Sequence, residues 1–159
     1  VSCLEHHRLM KLLIINGHGG NELKTFLREL YRETEVRIIL VDWWMAGLQD
    51  MEEIFDDPGE HGGQMETSLM LHLRPDLVEL EQADEGAVRT PELTGMREGW
   101  AWVARPWDLL TTHSGVGNPE GSTAEKGAQY LESCAARISE LLVEMANAPL
   151  DDWYPYESD

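Results

Sequence analysis

Lys11-Leu12-Leu13-Ile14-Ile15-Asn16-Gly17-His18-Gly19-Gly20-Asn21 is the stretch on which the fold turns. Residues 11–15 form a short, continuous apolar run, as expected for a strand covered on both faces. The glycines that follow permit a tight bend and remove side-chain bulk, which leaves the His18 imidazole open to a small ligand or a metal ion. Beyond the bend, Leu23, Phe26, Leu27, Leu30 and Tyr31 fall at i, i+3, i+4, i+7 and i+8, one face of a helix. A strand, a turn and a helix in that order put His18 at the carboxyl end of a strand, where ligands collect in open α/β sheets. A second strand over residues 36–41, rich in β-branched side chains, delivers Asp42, Trp43 and Trp44 to the same edge.

A second glycine-flanked histidine stands in His61-Gly62-Gly63-Gln64-Met65-Glu66-Thr67-Ser68. Met51, Ile54 and Phe55 mark a short helix before it, and Asp56-Asp57-Pro58-Gly59 marks a turn. The residues after His61 read as a helix whose inward face carries Met65, Leu69, Leu73 and Met70, ending before Pro75. His61 and Glu66 are five residues apart and do not share a helical face, so an irregular start around Gly62-Gly63 is expected to turn both toward one site.

Residues 77–80 are expected to extend briefly, and residues 82–96 to form a polar loop. The alternation of Trp100, Trp102 and Ala104 favours a strand or half-buried hairpin over residues 100–107. Ser122-Thr123-Ala124-Glu125 is a capping box. Ala124, Ala128, Leu131, Ala135, Ile138, Leu142 and Met145 then repeat at helical spacing until Asn147-Ala148-Pro149 ends the helix. This divides the chain into a body over residues 1–150 and an acidic, aromatic tail over residues 151–159, suited to a surface arm or a subunit contact.

Composition narrows the partners. A chain of 159 residues, 42% of them hydrophobic, is long enough to bury a core. Its net charge of -18 repels nucleic-acid phosphates and anionic membrane surfaces, and most of that charge reads as a solvated acidic surface. No apolar run approaches the length that spans a bilayer. Cys3 and Cys134 lack metal-ligand spacing and fit a reducing, cytoplasmic compartment.

The two histidine motifs resemble the creatininase (creatinine amidohydrolase) family. The resemblance rests on residues 14–21, on residues 60–71 with the following Leu73-Arg74-Pro75-Asp76-Leu77-Val78, and more loosely on Gly115-Val116-Gly117-Asn118-Pro119 leading into Thr123-Ala124-Glu125-Lys126-Gly127. It implies an α/β fold, a mostly parallel sheet flanked by helices in three layers. It also implies a hydrolase that holds one or two divalent ions (zinc, manganese or iron) and cleaves C–N bonds of small cyclic or linear amides. Family members carry an upstream half with a Glu-x-His pair and a further Asp as metal ligands. Nothing here matches that half, so the chain is expected to be a C-terminal part of such an enzyme, without its N-terminal strands. A parallel sheet so shortened exposes an edge and an apolar face, which favours self-association, and a homo-oligomer is expected at full length.

Residue by residue, the resemblance makes His18 a metal ligand, Glu66 the carboxylate ligand, and His61 the proton shuttle between attacking water and leaving nitrogen. An imidazole suits that task because its ordinary pKa lies near neutrality. Gly19, Glu60 and Trp43 or Trp44 are expected to line the substrate, with Trp43 or Trp44 folding over it. His113, at the glycine-rich loop before the capping box, reads as a surface histidine or one approaching the site from a neighbouring loop or subunit, and Asn21 as the cap of the first helix. The creatinine-specific members have a Tyr-Glu pair where this chain has Gly19-Gly20, and that Glu is a ligand in them; Gly20 offers no side-chain donor. Creatinine is thereby less expected than other family substrates: an oxidised inositol ring such as 3-dehydro-scyllo-inosose, a formamide, or a peptide precursor. One histidine and one carboxylate are also fewer than the three protein ligands of a catalytic zinc, so a non-catalytic piece is the contrasting expectation.

Overall fold

The structure, a computed structural model, describes residues 1–157. Its elements run α1 (Ser2–His6), β1 (Lys11–Asn16), α2 (Leu23–Leu30), β2 (Arg37–Asp42), α3 (Trp43–Ala46), α4 (Leu48–Ile54), α5 (Gln64–Leu73), two 3₁₀ turns (Pro75–Leu77 and Leu80–Gln82), α6 (Thr94–Arg97), α7 (Trp107–Leu110) and α8 (Ala124–Asn147). This is an α/β fold built on a small parallel sheet. Two compact units divide it: residues 1–48 with the chain from Ser133 onward, and Gln49–Glu132. No described helix is long and apolar enough to cross a membrane.

In the first unit β1 and β2 pair in parallel from Lys11↔Arg37 to Asn16↔Asp42. The connection through α2 is the crossover that parallel strands require. Ile15 is exposed, so β1 is not covered on both faces as its apolar run predicts. Leu23, Leu27 and Leu30 of α2 are half-buried whereas Phe26 and Tyr31 are exposed. At about 100° per residue, those two lie on the margins of the apolar stripe. Lys11 closes the other end of this unit: its ammonium donates to the carbonyls of Met145 (2.7 Å) and Ala148 (2.6 Å), satisfying the carboxyl end of α8 where a cation is favoured. Trp153 and Tyr154 donate backbone N–H groups to Asp151 Oδ1, which folds the start of the acidic tail into a turn. Ser158 and Asp159, the end of that tail, lie outside the described residues.

In the second unit α5 buries Gln64, Met65, Ser68 and Leu69, while Met70 and Leu73 face solvent. The expected apolar face is therefore displaced, because two polar residues take the inward positions. Gln64 accepts from Asp56 N (3.0 Å) and Lys126 Nζ (3.2 Å) and donates to the Glu120 carbonyl (2.7 Å), and Ser68 Oγ accepts from Thr123 N (3.2 Å). Buried polar groups with such partners cost little and fix the position of the neighbouring chain.

The α8 stripe is rotated by about one position from the expected one. Gly127, Tyr130, Cys134 and Met145 are buried, whereas Ala135 and Leu142 are exposed. A face rich in alanine is ambiguous; the Tyr130 ring, edge-on to Phe55 at 5.4 Å, decides the register. The cap differs too. Thr123 Oγ1 accepts from Lys126 N (3.1 Å), while Ser122 Oγ donates to the Pro119 carbonyl (2.6 Å), so Thr123 caps the helix instead of the Ser122–Glu125 box.

Leu77 and Leu80 belong to the two 3₁₀ turns, and between them Val78 alone takes extended backbone (φ -114°, ψ 122°), so the expected extension is a single residue and pairs in no strand. Residues 100–107 form no strand; Trp100 and Trp102 are among the most exposed apolar side chains. Trp100 and Ala101 donate instead to the Gly95 carbonyl in a turn after α6, which spends the N–H groups a hairpin would need.

Candidate functional site

The carboxyl ends of β1 and β2 gather the first group of residues. Asn16 is buried and organises them: its amide donates to Asp42 Oδ1 (2.8 Å), and its Oδ1 accepts from Asn21 Nδ2 (2.8 Å) and His18 N (3.2 Å). Asn21 thus holds the turn from within; the residue preceding α2 is Glu22, and no side chain caps the helix. Lys24 pairs with Asp42 at 3.4 Å.

His18 lies exposed on this turn, and its Nδ1 accepts the Gly20 N–H at 3.0 Å. That bond makes Nδ1 the unprotonated nitrogen, so a ligand meeting this ring at Nε2 first meets a proton. A Cβ on Gly20 would fall 2.8 Å from His18 Cε1, which makes glycine the condition for the ring's position. A Cβ on Gly19 would sit 3.8 Å from the Trp44 ring. Trp44, edge-on to Trp43 at 6.2 Å, is therefore the tryptophan beside the His18 turn.

The second unit holds His61. Its backbone pairs with Val116 in an isolated antiparallel bridge, His61 N to Val116 O at 2.9 Å and Val116 N to His61 O at 2.7 Å. The two glycine-rich loops read separately in the sequence thus meet. Gly62 takes φ +66°, and this left-handed residue supplies the irregular helix start that the spacing requires. Glu66, in the first turn of α5, reaches back so that Oε2 accepts the Gly62 N–H (2.8 Å) and lies 4.0 Å from His61 Nδ1. Gly63 has a packing role: a Cβ there would fall 2.7 Å from the Gly59 backbone.

Trp107 stands 5.0 Å from the His61 ring, centroid to centroid, and Arg105 lies over Trp107 while pairing with Glu60. Glu60 is thereby occupied by a cation from the segment that precedes α7. Asp57 Oδ1 accepts from Gly59 N and shapes the turn before His61. A cavity of about 220 Å³ opens beside His61 and Gly62, and Asp84, His113 and Ser114 also line it. His113, which the sequence offers as a surface histidine or as one approaching the site, does line the cavity; Asp84 carries no signal in the sequence, since it stands 29 positions away and only the fold unites the two, Nδ1 to Oδ2 at 2.7 Å.

Four aspartates are held below the usual carboxylate range: Asp42 by the Asn16 amide and then Lys24, Asp56 by Lys126, Asp76 by Arg74, and Asp84 by His113 and the Gly86 N–H. Each binds its proton more readily in the unfolded chain, so its contribution to stability is complete above the ordinary carboxylate range and is lost as pH falls through the folded value. The melting temperature is expected to fall below about pH 4 and to fall less steeply in Asp42→Asn. Thermal melts followed by circular dichroism between neutral and acid pH test this.

Metal binding asks for more donors than converge here. Among the described residues no group of three or more His, Cys, Asp or Glu side chains could hold a metal ion. His18 lies in the first unit and Glu66 in the second, and each unit by itself falls short of the three protein ligands that catalytic zinc takes.

The family model described as creatinine amidohydrolase, creatininase, matches residues 1–142. A creatinine amidohydrolase from Pseudomonas putida is 28% identical over 157 residues, covering 89% of this chain and 58% of that protein. A mycofactocin precursor peptide peptidase from Mycobacterium ulcerans (strain Agy99) is 28% identical over 137 residues, 81% of this chain and 48% of its own length. The chain thus spans about half the length of these relatives. Among solved structures, a candidate creatinine amidohydrolase from Bacteroides fragilis NCTC 9343 superposes with a TM-score of 0.85 at 37% identity, over 95% of this chain and 60% of that one. Creatininases of a Zn-Zn type and a manganese form each superpose at 0.69 with 25% identity, over 91% of this chain and 60% of theirs.

Proposed function

The chain belongs to the creatininase family, and on that premise we propose that it serves an amidohydrolase that adds water across a C–N bond of a small cyclic or linear amide. The observation that carries this reading is the meeting of His61 and Glu66 across the left-handed Gly62, with His61 Nδ1 and Glu66 Oε2 4.0 Å apart and His61 itself lining a cavity. His61 takes a proton from the attacking water, and the Glu66 carboxylate favours the resulting imidazolium by its charge. With Nδ1 turned to Glu66, Nε2 is the nitrogen that exchanges the proton. Gly19 and Trp44, and Trp43 behind it, form the apolar rim at the His18 turn, and Glu60 holds the His61 loop through Arg105.

His18 and Glu66 are the residues this chain offers a divalent ion, of which the zinc and manganese forms of the relatives are the examples. Such an ion, when bound, lowers the pKa of a coordinated water. Because the donor set is partial, the steps assigned to His61 do not pass through it. As part of the same reading the residues 1–150 form the family domain with residues 151–159 as its tail, and the protein works as a cytoplasmic homo-oligomer. Its strong negative charge supports a small-molecule substrate over nucleic acid or a membrane surface.

A second reading, a metal-free chain without activity of its own, is favoured by the absence of a three-donor group among the described residues. Metal analysis after dialysis, together with hydrolysis of creatinine, a linear formamide, a peptide amide and 3-dehydro-scyllo-inosose, separates the two. The proposal expects zinc or manganese to be retained and at least one substrate cleaved. His18→Ala and Glu66→Ala should each weaken metal retention by no less than the roughly 10–100-fold that loss of a supporting partner costs. A metal-free chain that cleaves none of the four supports the second reading.

A further inference from the structure

The cavity beside His61 contains a second imidazole with a carboxylate partner. His113 and Asp84 come from loops 29 residues apart, and both line the same space of about 220 Å³ as His61 and Gly62. From this arrangement we propose that His113 is the proton donor to the leaving nitrogen, positioned by Asp84, while His61 serves the attacking water. The proposal rests on the amidohydrolase reading and divides between two rings the proton traffic that one would otherwise carry.

The geometry sets the roles. An ionised carboxylate only accepts, so the 2.7 Å contact means that His113 Nδ1 carries a proton and donates it to Asp84 Oδ2. That fixes the ring's orientation and leaves Nε2 as the nitrogen that gives up or takes a proton, the same division of labour as in any carboxylate-oriented catalytic histidine. Asp84 is itself anchored: its Oδ1 accepts the Gly86 N–H at 3.0 Å, and its carboxyl is held below the usual range chiefly by His113. The loop beneath is rigidly packed, since a Cβ on Gly86 would fall 2.0 Å from the Gly117 carbonyl oxygen, and Gly117 neighbours the Val116 that pairs with His61. One backbone junction thus sets the positions of both imidazoles.

In the step, a water oxygen bonds to the amide carbon as its proton passes to His61 Nε2. The C–N bond then breaks, its electron pair stays on nitrogen, and the nitrogen takes the proton from His113 Nε2. The products are a carboxylic acid and an amine, and exchange with water returns the proton from His61 to His113. No oxidant or further reactant is needed. A cavity of this size lets one molecule touch both rings, so the group that takes the water's proton and the group that protonates the nitrogen need not be the same.

The test compares leaving groups in the full-length protein. An amine leaves poorly without protonation, whereas an alkoxide leaves from an ester with far less help. A lactam and the lactone of the same ring, and a linear amide with its matching ester, therefore report on the donor. His113→Gln is expected to slow amide cleavage by about 10²–10⁴-fold while ester cleavage stays within a few-fold of wild type. Asp84→Asn should move the amide-to-ester ratio the same way by a smaller factor and shift the His113 Nδ1–H resonance upfield in ¹H–¹⁵N spectra, because a neutral amide oxygen accepts more weakly than a carboxylate. A general loss of folding would lower both rates together and would not change their ratio. An unchanged ratio in both variants overturns the assignment of His113 and leaves the amidohydrolase reading standing; a wild-type protein that cleaves no amide overturns both.

Discussion

His61→Ala is expected to lower the rate of amide hydrolysis by about 10²–10⁴-fold, with little change in KM or in stability. The loss falls on kcat because the imidazole acts on a proton in flight and contributes little to ground-state binding. Stability is spared because the backbone of residue 61, which alanine retains, makes both hydrogen bonds to Val116. The side chain is 47% exposed, and what it loses is a solvent-screened approach to Glu66 and a tilted contact with Trp107 worth about 0.5–1.5 kcal/mol. Steady-state kinetics on whichever substrate of the panel is cleaved, with a thermal melt of the same sample, gives both numbers. A variant that keeps its rate within a few-fold removes His61 from the chemistry, and with it the central residue of the proposed function.

The part of this site that the sequence makes legible is the part encoded locally. A strand, a glycine bend and a helix can be read from residues 11–31, and they place His18 where the paired carboxyl ends of β1 and β2 lie. The five-residue interval between His61 and Glu66 calls for a break in helical geometry, and Gly62 at φ +66° supplies it. What depends on distant segments is not legible. The His113–Asp84 pair forms only when two irregular loops fold against each other, and each residue alone reads as a solvated polar side chain. The tryptophan alternation over residues 100–107 imitates a strand, yet a strand needs a partner with free hydrogen-bonding groups, and the chain there turns back on Gly95.

The register of α8 shows the same division. Apolar periodicity identifies the helix and its end at Asn147, but alanine fits either side of a stripe, so the face is chosen by the two residues with the strongest steric demands. Tyr130 demands a full cavity and is completely buried; Gly127 demands an approach of backbone to backbone.

Gly127→Ala should therefore destabilise the protein by about 2 kcal/mol or more, against the sign that helix propensity alone assigns. In a helix exposed to solvent, replacing glycine with alanine gains about 1 kcal/mol, because alanine loses less backbone entropy. Here a Cβ would lie 2.0 Å from the Ser68 carbonyl oxygen, 2.4 Å from its carbon and 2.8 Å from Leu69 N. All three are backbone atoms in α5, so no rotamer change relieves the overlap and the two helices must separate. Separation would also stretch the 3.2 Å bond from Thr123 N to Ser68 Oγ and pull at Gln64, whose amide donates to the Glu120 carbonyl. The expected fall in melting temperature is roughly 4–8 °C for a chain of this size. Gly17→Ala is the control, since a Cβ there meets nothing within 4 Å, and its melting temperature should stay level or rise slightly. If Gly127→Ala melts at or above the wild-type temperature, α8 does not pack on α5 through this glycine. The arrangement of the loops at residues 115–123, on which the cavity beside His61 depends, then loses its support.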